Sequence, residues 1–208
     1  MTMIRAALVL TAAALLSACA GGDIVSRNAL ESSGLLSTKQ VEGHAPVPLN
    51  PSYRVVDVKV EVPDVLTSSE QNGIKPRSDI LWQEDPAGDR HAQVRALMTE
   101  ALEEGVSDIT GSRDVVLEVV MTRFHALTKR TRYSIGGEHE VWMFVAVRDA
   151  RTGELLEPAR RIGFDHRVSA EQALENEAQG LNQRLEITAL VKDMIRQELT
   201  RPRDFLQG

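Results

Sequence analysis

The sequence predicts an α+β domain: a small, mostly antiparallel sheet of three to five strands with two main helices packed on one face, in the order β-α-β-β-(β)-α. Three observations carry that expectation. Val56, Val58, Val60 and Val62 alternate with Asp57, Lys59 and Glu61, the period of two expected of a strand with one buried and one wet face. Val94, Leu97, Met98, Ala101 and Leu102 fall at i, i+3, i+4, i+7 and i+8, which places one apolar stripe along a helix. Val141 to Val147 is a continuous apolar run, as expected when both faces of a strand are covered.

The first strand ends at Pro63, and a polar excursion from Asp64 to Ser78 leads to a short extended piece, Asp79-Ile80-Leu81-Trp82. Asp85-Pro86-Ala87-Gly88-Asp89 is a turn into the first helix, with Asp85 or Asp89 as its cap and Trp82 burying the junction. That helix is expected to end near Gly105. Asp114 to Leu127 is a strand rich in β-branched residues. Thr128 to His139 then carries Lys129, Arg130, Arg132 and the pair Gly136-Gly137, a hairpin connection with a basic tip.

Asp149 to Gly153 is a second turn, after which Ile162, Phe164 and Val168 indicate an edge strand. Ser169 and Gln172 have the spacing of a capping box. The apolar positions that follow do not share one face, because Leu174, Ala178, Leu181 and Leu185 oppose Ile187, Leu190, Val191, Met194 and Ile195. With Gly180 as the break, the last helix is expected from Asn182 to Thr200, with Ala170 to Gln179 a loop or loose turn and Pro202 the stop. Short connections favour antiparallel pairing.

The chain opens with one positive charge at Arg5, an apolar run from Ala6 to Leu16, and then Leu16-Ser17-Ala18-Cys19, which contains the only cysteine. This resembles the signal of bacterial lipoprotein precursors. The resemblance implies cleavage before Cys19 and acylation of its sulfur and new N-terminus, an attachment to the membrane through acyl chains. An ordinary cleaved secretory peptide is the alternative; the apolar run is well short of the ~20 residues that span a bilayer. In the sorting pattern of enterobacterial lipoproteins, Ala20 rather than aspartate after the cysteine implies the periplasmic face of the outer membrane, with the inner membrane as the alternative.

The domain plan is therefore a signal over 1–18, a flexible tether over 19–51, a single α+β domain over 52–201 and a tail over 202–208. Within the tether, Ile24 to Leu36 is a short amphipathic piece, and Pro46, Pro48 and Pro51 enforce extended chain. Removing Arg5 with the signal takes Lys+Arg from 24 to 23 against Asp+Glu 30, a formal net charge of −7. That balance disfavours nucleic acid as a partner. With Cys19 acylated, neither a free thiol nor a disulfide remains to stabilise the domain.

Asp79-Ile80-Leu81-Trp82, Asp85-Pro86, Gly88-Asp89-Arg90, Gln93-Val94 and Gly180-Leu181-Asn182-Gln183-Arg184 resemble a family of proteobacterial lipoproteins known as a domain of unknown function. The resemblance covers most of the chain after the tether. It implies fold and address and assigns no chemistry. The family segment carries an arginine-glycine pair after the tryptophan, where this chain has Gln83-Glu84.

Signals for catalysis are weak. The five histidines, at 44, 91, 125, 139 and 166, lack metal-ligand spacing, and Glu138-His139-Glu140 alternate faces on a strand, so no metal or other cofactor is expected. A nucleophile elbow is missing, and Ser134-Ile135-Gly136-Gly137 lacks the lysine and helix of a phosphate cradle. The expected function is a non-enzymatic interaction or accessory module of the cell envelope with an envelope protein as partner. Lys129, Arg130, Arg132, Asp79, Trp82 and Arg90 are its candidate patch and Cys19 its acyl attachment point. The alternatives are a lipid- or small-ligand-binding domain with an apolar cavity between sheet and helix and, third, a hydrolase.

Overall fold

A computed structural model describes residues 53–200. Cys19, the tether and the tail beyond Arg201 lie outside the described residues. Strands β1 (Tyr53–Glu61), β2 (Ile80–Leu81), β3 (Arg113–His125), β4 (Gly137–Asp149) and β5 (Leu155–Val168) form one five-stranded sheet in the order β1-β3-β4-β5, with β2 also paired to β3. The helices among the described residues are α1 (Arg90–Val106), the single turn α2 (Lys129–Arg132), α3 (Ala170–Ala178) and α4 (Gln183–Thr200). This is the expected α+β class.

The β3–β4 and β4–β5 pairs are antiparallel because short connections return the chain beside itself. In contrast, β1 and β2 both run parallel to β3. Crossing from β1 to β3 requires a long connection, and α1 supplies it. β1 pairs with Tyr53↔Arg113 through Glu61↔Val120, and β2 continues along the same edge of β3 with Ile80↔Phe124 and Leu81↔His125.

The alternation of β1 holds only in part. Val55 pairs with Val115 and Asp57 with Val116, so Val56 is the extra residue of a bulge and lies 51% exposed. An inserted residue inverts the parity of a strand. Tyr53 therefore faces inward before the bulge and Val58 after it.

Asp89 caps α1 by accepting the Ala92 N–H at 3.0 Å, which settles the choice between Asp85 and Asp89. Val94, Leu97, Met98, Ala101 and Leu102 are all buried, as the stripe requires. α1 ends at Val106, near Gly105 as expected; Gly105 lies in its last turn, where α4 approaches so closely that a Cβ would stand 2.5 Å from Ile195 Cγ2 and 2.9 Å from Lys192 Cα.

The segment from Ala170 is a helix and not a loop. Ser169 accepts the Gln172 N–H at 3.1 Å, and this cap supports a helix that buries only Ala173. Gly180, at φ +80°, turns the chain, and α4 then buries Ile187, Val191, Ile195 and Leu199 at intervals of four. Leu174, Leu181 and Leu185, on the opposing stripe, are exposed.

One core unites Leu97, Met98 and Leu102 of α1 and Ile187, Val191 and Ile195 of α4 with the inward side chains of the sheet. Val120 and Ala146 face the other way, packed by Phe144, Leu155 and Ala159. On this face the strands are laced together by their own side chains. Arg148 donates to Glu118 at 2.8 Å, Trp142 donates to Asp165 at 2.8 Å, and the Arg161 guanidinium lies 4.0 Å from the Trp142 ring centroid.

Candidate functional site

The segments that carry the family resemblance meet at one corner of the domain. Trp82 is fully buried, edge-on to Phe124 at 5.6 Å, and its indole N–H donates to Asp85 Oδ2 at 2.7 Å. Arg184 reaches the same carboxylate with one nitrogen, 2.7 and 2.6 Å from its two oxygens, and its guanidinium stands 5.5 Å from the Trp82 ring centroid. Burial pushes the Asp85 carboxyl up, but the hydrogen bonds from Trp82 and Arg184 outweigh it and hold the group below the ordinary carboxylate range. Gln183 completes the link: its Nε2 donates to Glu84 at 3.1 Å and its Oε1 accepts the Leu127 N–H at 2.8 Å. Residues 99 apart in sequence are thus joined at a helix start.

Arg90 is 5% exposed and donates to both oxygens of Glu70, at 2.6 and 2.8 Å, as well as to the carbonyls of Asp85 and Pro86. It ties the loop before β2 onto α1. Asp79 accepts the Thr67 N–H and hydroxyl, both at 2.8 Å, and closes the same loop. Trp82, Arg90 and Asp79 are therefore occupied in holding this corner together, and of the three Arg90 shares a surface depression with Lys129 of the basic segment.

The basic segment lies in the connection of the β3–β4 hairpin, as expected, and folds there as one turn of helix. Thr128 caps it by accepting the Thr131 N–H at 3.1 Å. Arg132 is only 7% exposed and lies 3.3 Å from Glu84 and 3.6 Å from Glu177. Lys129 and Arg130 are exposed and form no ion pair among the described residues. Of the expected basic group, these two alone are presented to solvent.

Sequence reading missed a second cluster. His139 is fully buried and parallel to His166, with ring centroids 6.5 Å apart. Glu186 of α4 lies between them, 3.5 Å from Nε2 of each. The histidines pair across β4 and β5 as His139↔His166, so the signal lies in the strand register, which pattern alone does not supply. Among the described residues, no group of three or more His, Cys, Asp or Glu side chains has the arrangement to hold a metal ion.

Interaction with His139 holds the Glu186 carboxyl below its ordinary value against the push of burial, and the charges of His139 and His166 act in the same direction. Arg132 borders the same small cavity from α2. A depressed folded-state pKa contributes stability that is complete above the unfolded value, about 4.3, and lost as pH falls through the folded value. Glu186→Gln should therefore lose less of its urea midpoint than the wild type between pH 6 and pH 3. Equal losses would remove Glu186 from the acid response.

Taken together, the geometry defines a one-sided α+β sheet domain whose buried ionic groups tie together segments distant in sequence. No helix among the described residues is long and apolar enough to cross a membrane. The chain belongs to the Family of unknown function (DUF6778), whose profile matches residues 53–207. No curated protein matches it. Similar solved structures include an uncharacterized protein at 16% identity, over 73% of this chain and 96% of that one, with a TM-score of 0.34. A candidate lipoprotein from Caulobacter crescentus CB15 is similar at 13% identity, over 72% and 88%, with a TM-score of 0.32. The PelC dodecamer from Paraburkholderia phytofirmans is similar at 14% identity, over 71% and 88%, with a TM-score of 0.31.

Proposed function

We propose that this protein is a non-enzymatic interaction module of the cell envelope, held at the periplasmic face of the outer membrane by acyl chains on Cys19. Leu16-Ser17-Ala18-Cys19, placed directly after an apolar run, is the observation that supports the tether. Two or more acyl chains anchor stably where a single chain does not. The docking element is the outer edge of β5, a 14-residue strand at the end of the sheet order. An edge of this kind offers backbone N–H and C=O groups to an added strand. Pro158 and the exposed cations Arg161 and Arg167 restrict indiscriminate pairing and favour an acidic extended segment.

Fractionation with intact-mass measurement tests the tether. The wild type should carry acyl mass in the outer-membrane fraction, and Cys19→Ser should lose both; an unmodified soluble wild type would overturn it. Capture after mild crosslinking tests the edge. Arg161→Glu should reduce partner recovery, whereas Lys129→Glu with Arg130→Glu reports on α2 instead. Arg132 is left unchanged because its burial would confound binding with folding. Unchanged recovery in both variants would count against both surfaces.

A further inference from the structure

At the C-terminal end of β3 a cavity of about 340 Å³ lies between the loop before β2, the turn after α2 and the adjoining ends of β4 and β5. This is within the range of small-molecule sites, roughly 300–1,000 Å³. Its floor is apolar, formed by Leu81, Ala126 and Leu127. At its mouth stand Ile74 and Ile135, 59% and 63% exposed. Single exposed isoleucines are common on protein surfaces, but two at one opening over an apolar floor extend that floor outward.

The rim is charged. Lys75 and Arg167, with side chains 60% and 84% exposed, both approach Glu138, at 4.0 and 3.8 Å. These are loose pairs that an incoming anion can replace at little cost. Glu140 lies deeper, 8% exposed, and pairs with both Lys75 and Arg123, so it keeps a cation when Lys75 turns away. Lys75, Arg123 and Arg167 together face the two carboxylates Glu138 and Glu140, a surplus of one positive charge at the rim of a chain whose net charge is −6. His125, beside the floor, adds no charge at neutral pH: burial and the neighbouring Arg123 hold its imidazole below the ordinary value.

We propose that this pocket binds a single-chain carboxylate, with its apolar tail on Leu81, Ala126 and Leu127 between Ile74 and Ile135 and its head group between Lys75 and Arg167. The tail supplies area-dependent affinity and the two cations supply the preference for an anion. Such a site differs from the carrier cavity expected between sheet and helix, because it lies at the end of the sheet and leaves the shared core filled.

Octanoate is the probe, titrated into the full chain bearing Cys19→Ser while the methyl resonances of Ile74 and Ile135 are followed. Saturable shifts are expected with octanoate, with affinity at least about tenfold weaker for butyrate, which lacks the tail, and for octylammonium, which inverts the charge. Arg167→Glu, and separately Ile135→Asp, should each weaken octanoate by about tenfold or more with an unchanged thermal midpoint, since both side chains are exposed and neither holds a buried partner. Equal binding of octylammonium, octanoate affinity unchanged in these variants, or no saturable shift would overturn the proposal. The readout is in solution and independent of acylation, so its failure leaves the tether and the β5 edge standing.

Discussion

Trp82→Ala should destabilise the domain by about 3–5 kcal/mol, the range for truncating a fully buried tryptophan. Three losses combine at this position. The ring is completely inaccessible and packs edge-on against Phe124. Its N–H is one of the donors that stabilise the Asp85 carboxylate, and its face lies beside the Arg184 guanidinium. Alanine therefore leaves a cavity and also weakens the link between the start of α1 and the start of α4. Trp82→Phe should cost less, because it fills most of the volume and loses chiefly the hydrogen bond, about 1.5–3 kcal/mol for a charged acceptor. Urea unfolding followed by circular dichroism measures both. In the Trp82 variants Trp142 is the one remaining tryptophan, so fluorescence reports the opposite sheet face separately. A loss below about 1 kcal/mol for alanine would show that this corner does not hold the helices to the sheet.

Gly105→Val should cost about 2–3 kcal/mol, and Gly105→Ala should also be destabilising though by less. Helix propensity argues the opposite, since alanine in place of a helical glycine is favourable, by up to about 1 kcal/mol in a helix interior and less in a last turn such as this. Packing decides the sign. A Cβ at this position would meet Ile195 Cγ2 at 2.5 Å, the Lys192 Cα at 2.9 Å and the Lys192 carbonyl oxygen at 3.1 Å. The isoleucine methyl can rotate away, but the backbone of α4 can yield only if the helices separate. Separation would also disturb the flanking Lys192–Glu104 contact at 2.7 Å. Chemical denaturation of the alanine variant is the sharper test, because a gain in stability would mean that α1 and α4 have room at their crossing.

These two positions show where pattern reading succeeds and where it stops. Trp82 was legible both as a residue that buries the turn before α1 and as a member of an interaction patch, and its complete burial fits the first use. Its partner Arg184 was legible only as part of a recurring segment, because nothing local connects residues so far apart. Gly105 was legible as marking the end of α1, which closes one residue later at Val106. Its role at a helix crossing depends on α4, which the local pattern of α1 does not contain.

The candidate site divides in the same way. Lys129 and Arg130 are presented to solvent as expected, but Arg132, two positions later, turns inward to Glu84 and Glu177. A run of cations states charge and leaves direction open. Ile74 and Ile135 carry a faint signal of their own, each a large apolar residue beside glycine in a polar connection, and this signal becomes meaningful only when the fold brings the two loops to one opening.

By itself the sequence determined the α+β class, the stripes of α1 and α4, the strand identities of β1, β3, β4 and β5, and the features at Cys19 that resemble a lipoprotein signal. These follow from local periodicity and composition, which act over a few residues and are encoded where they are read. Tertiary structure alone decided the parallel pairing of β1 and β2 with β3, the bulge that expels Val56, the Asp85–Arg184 link, the histidine pair around Glu186 and the pocket at the end of β3. Each depends on register or on contact between distant segments, and those are set by how the whole chain buries its apolar surface together.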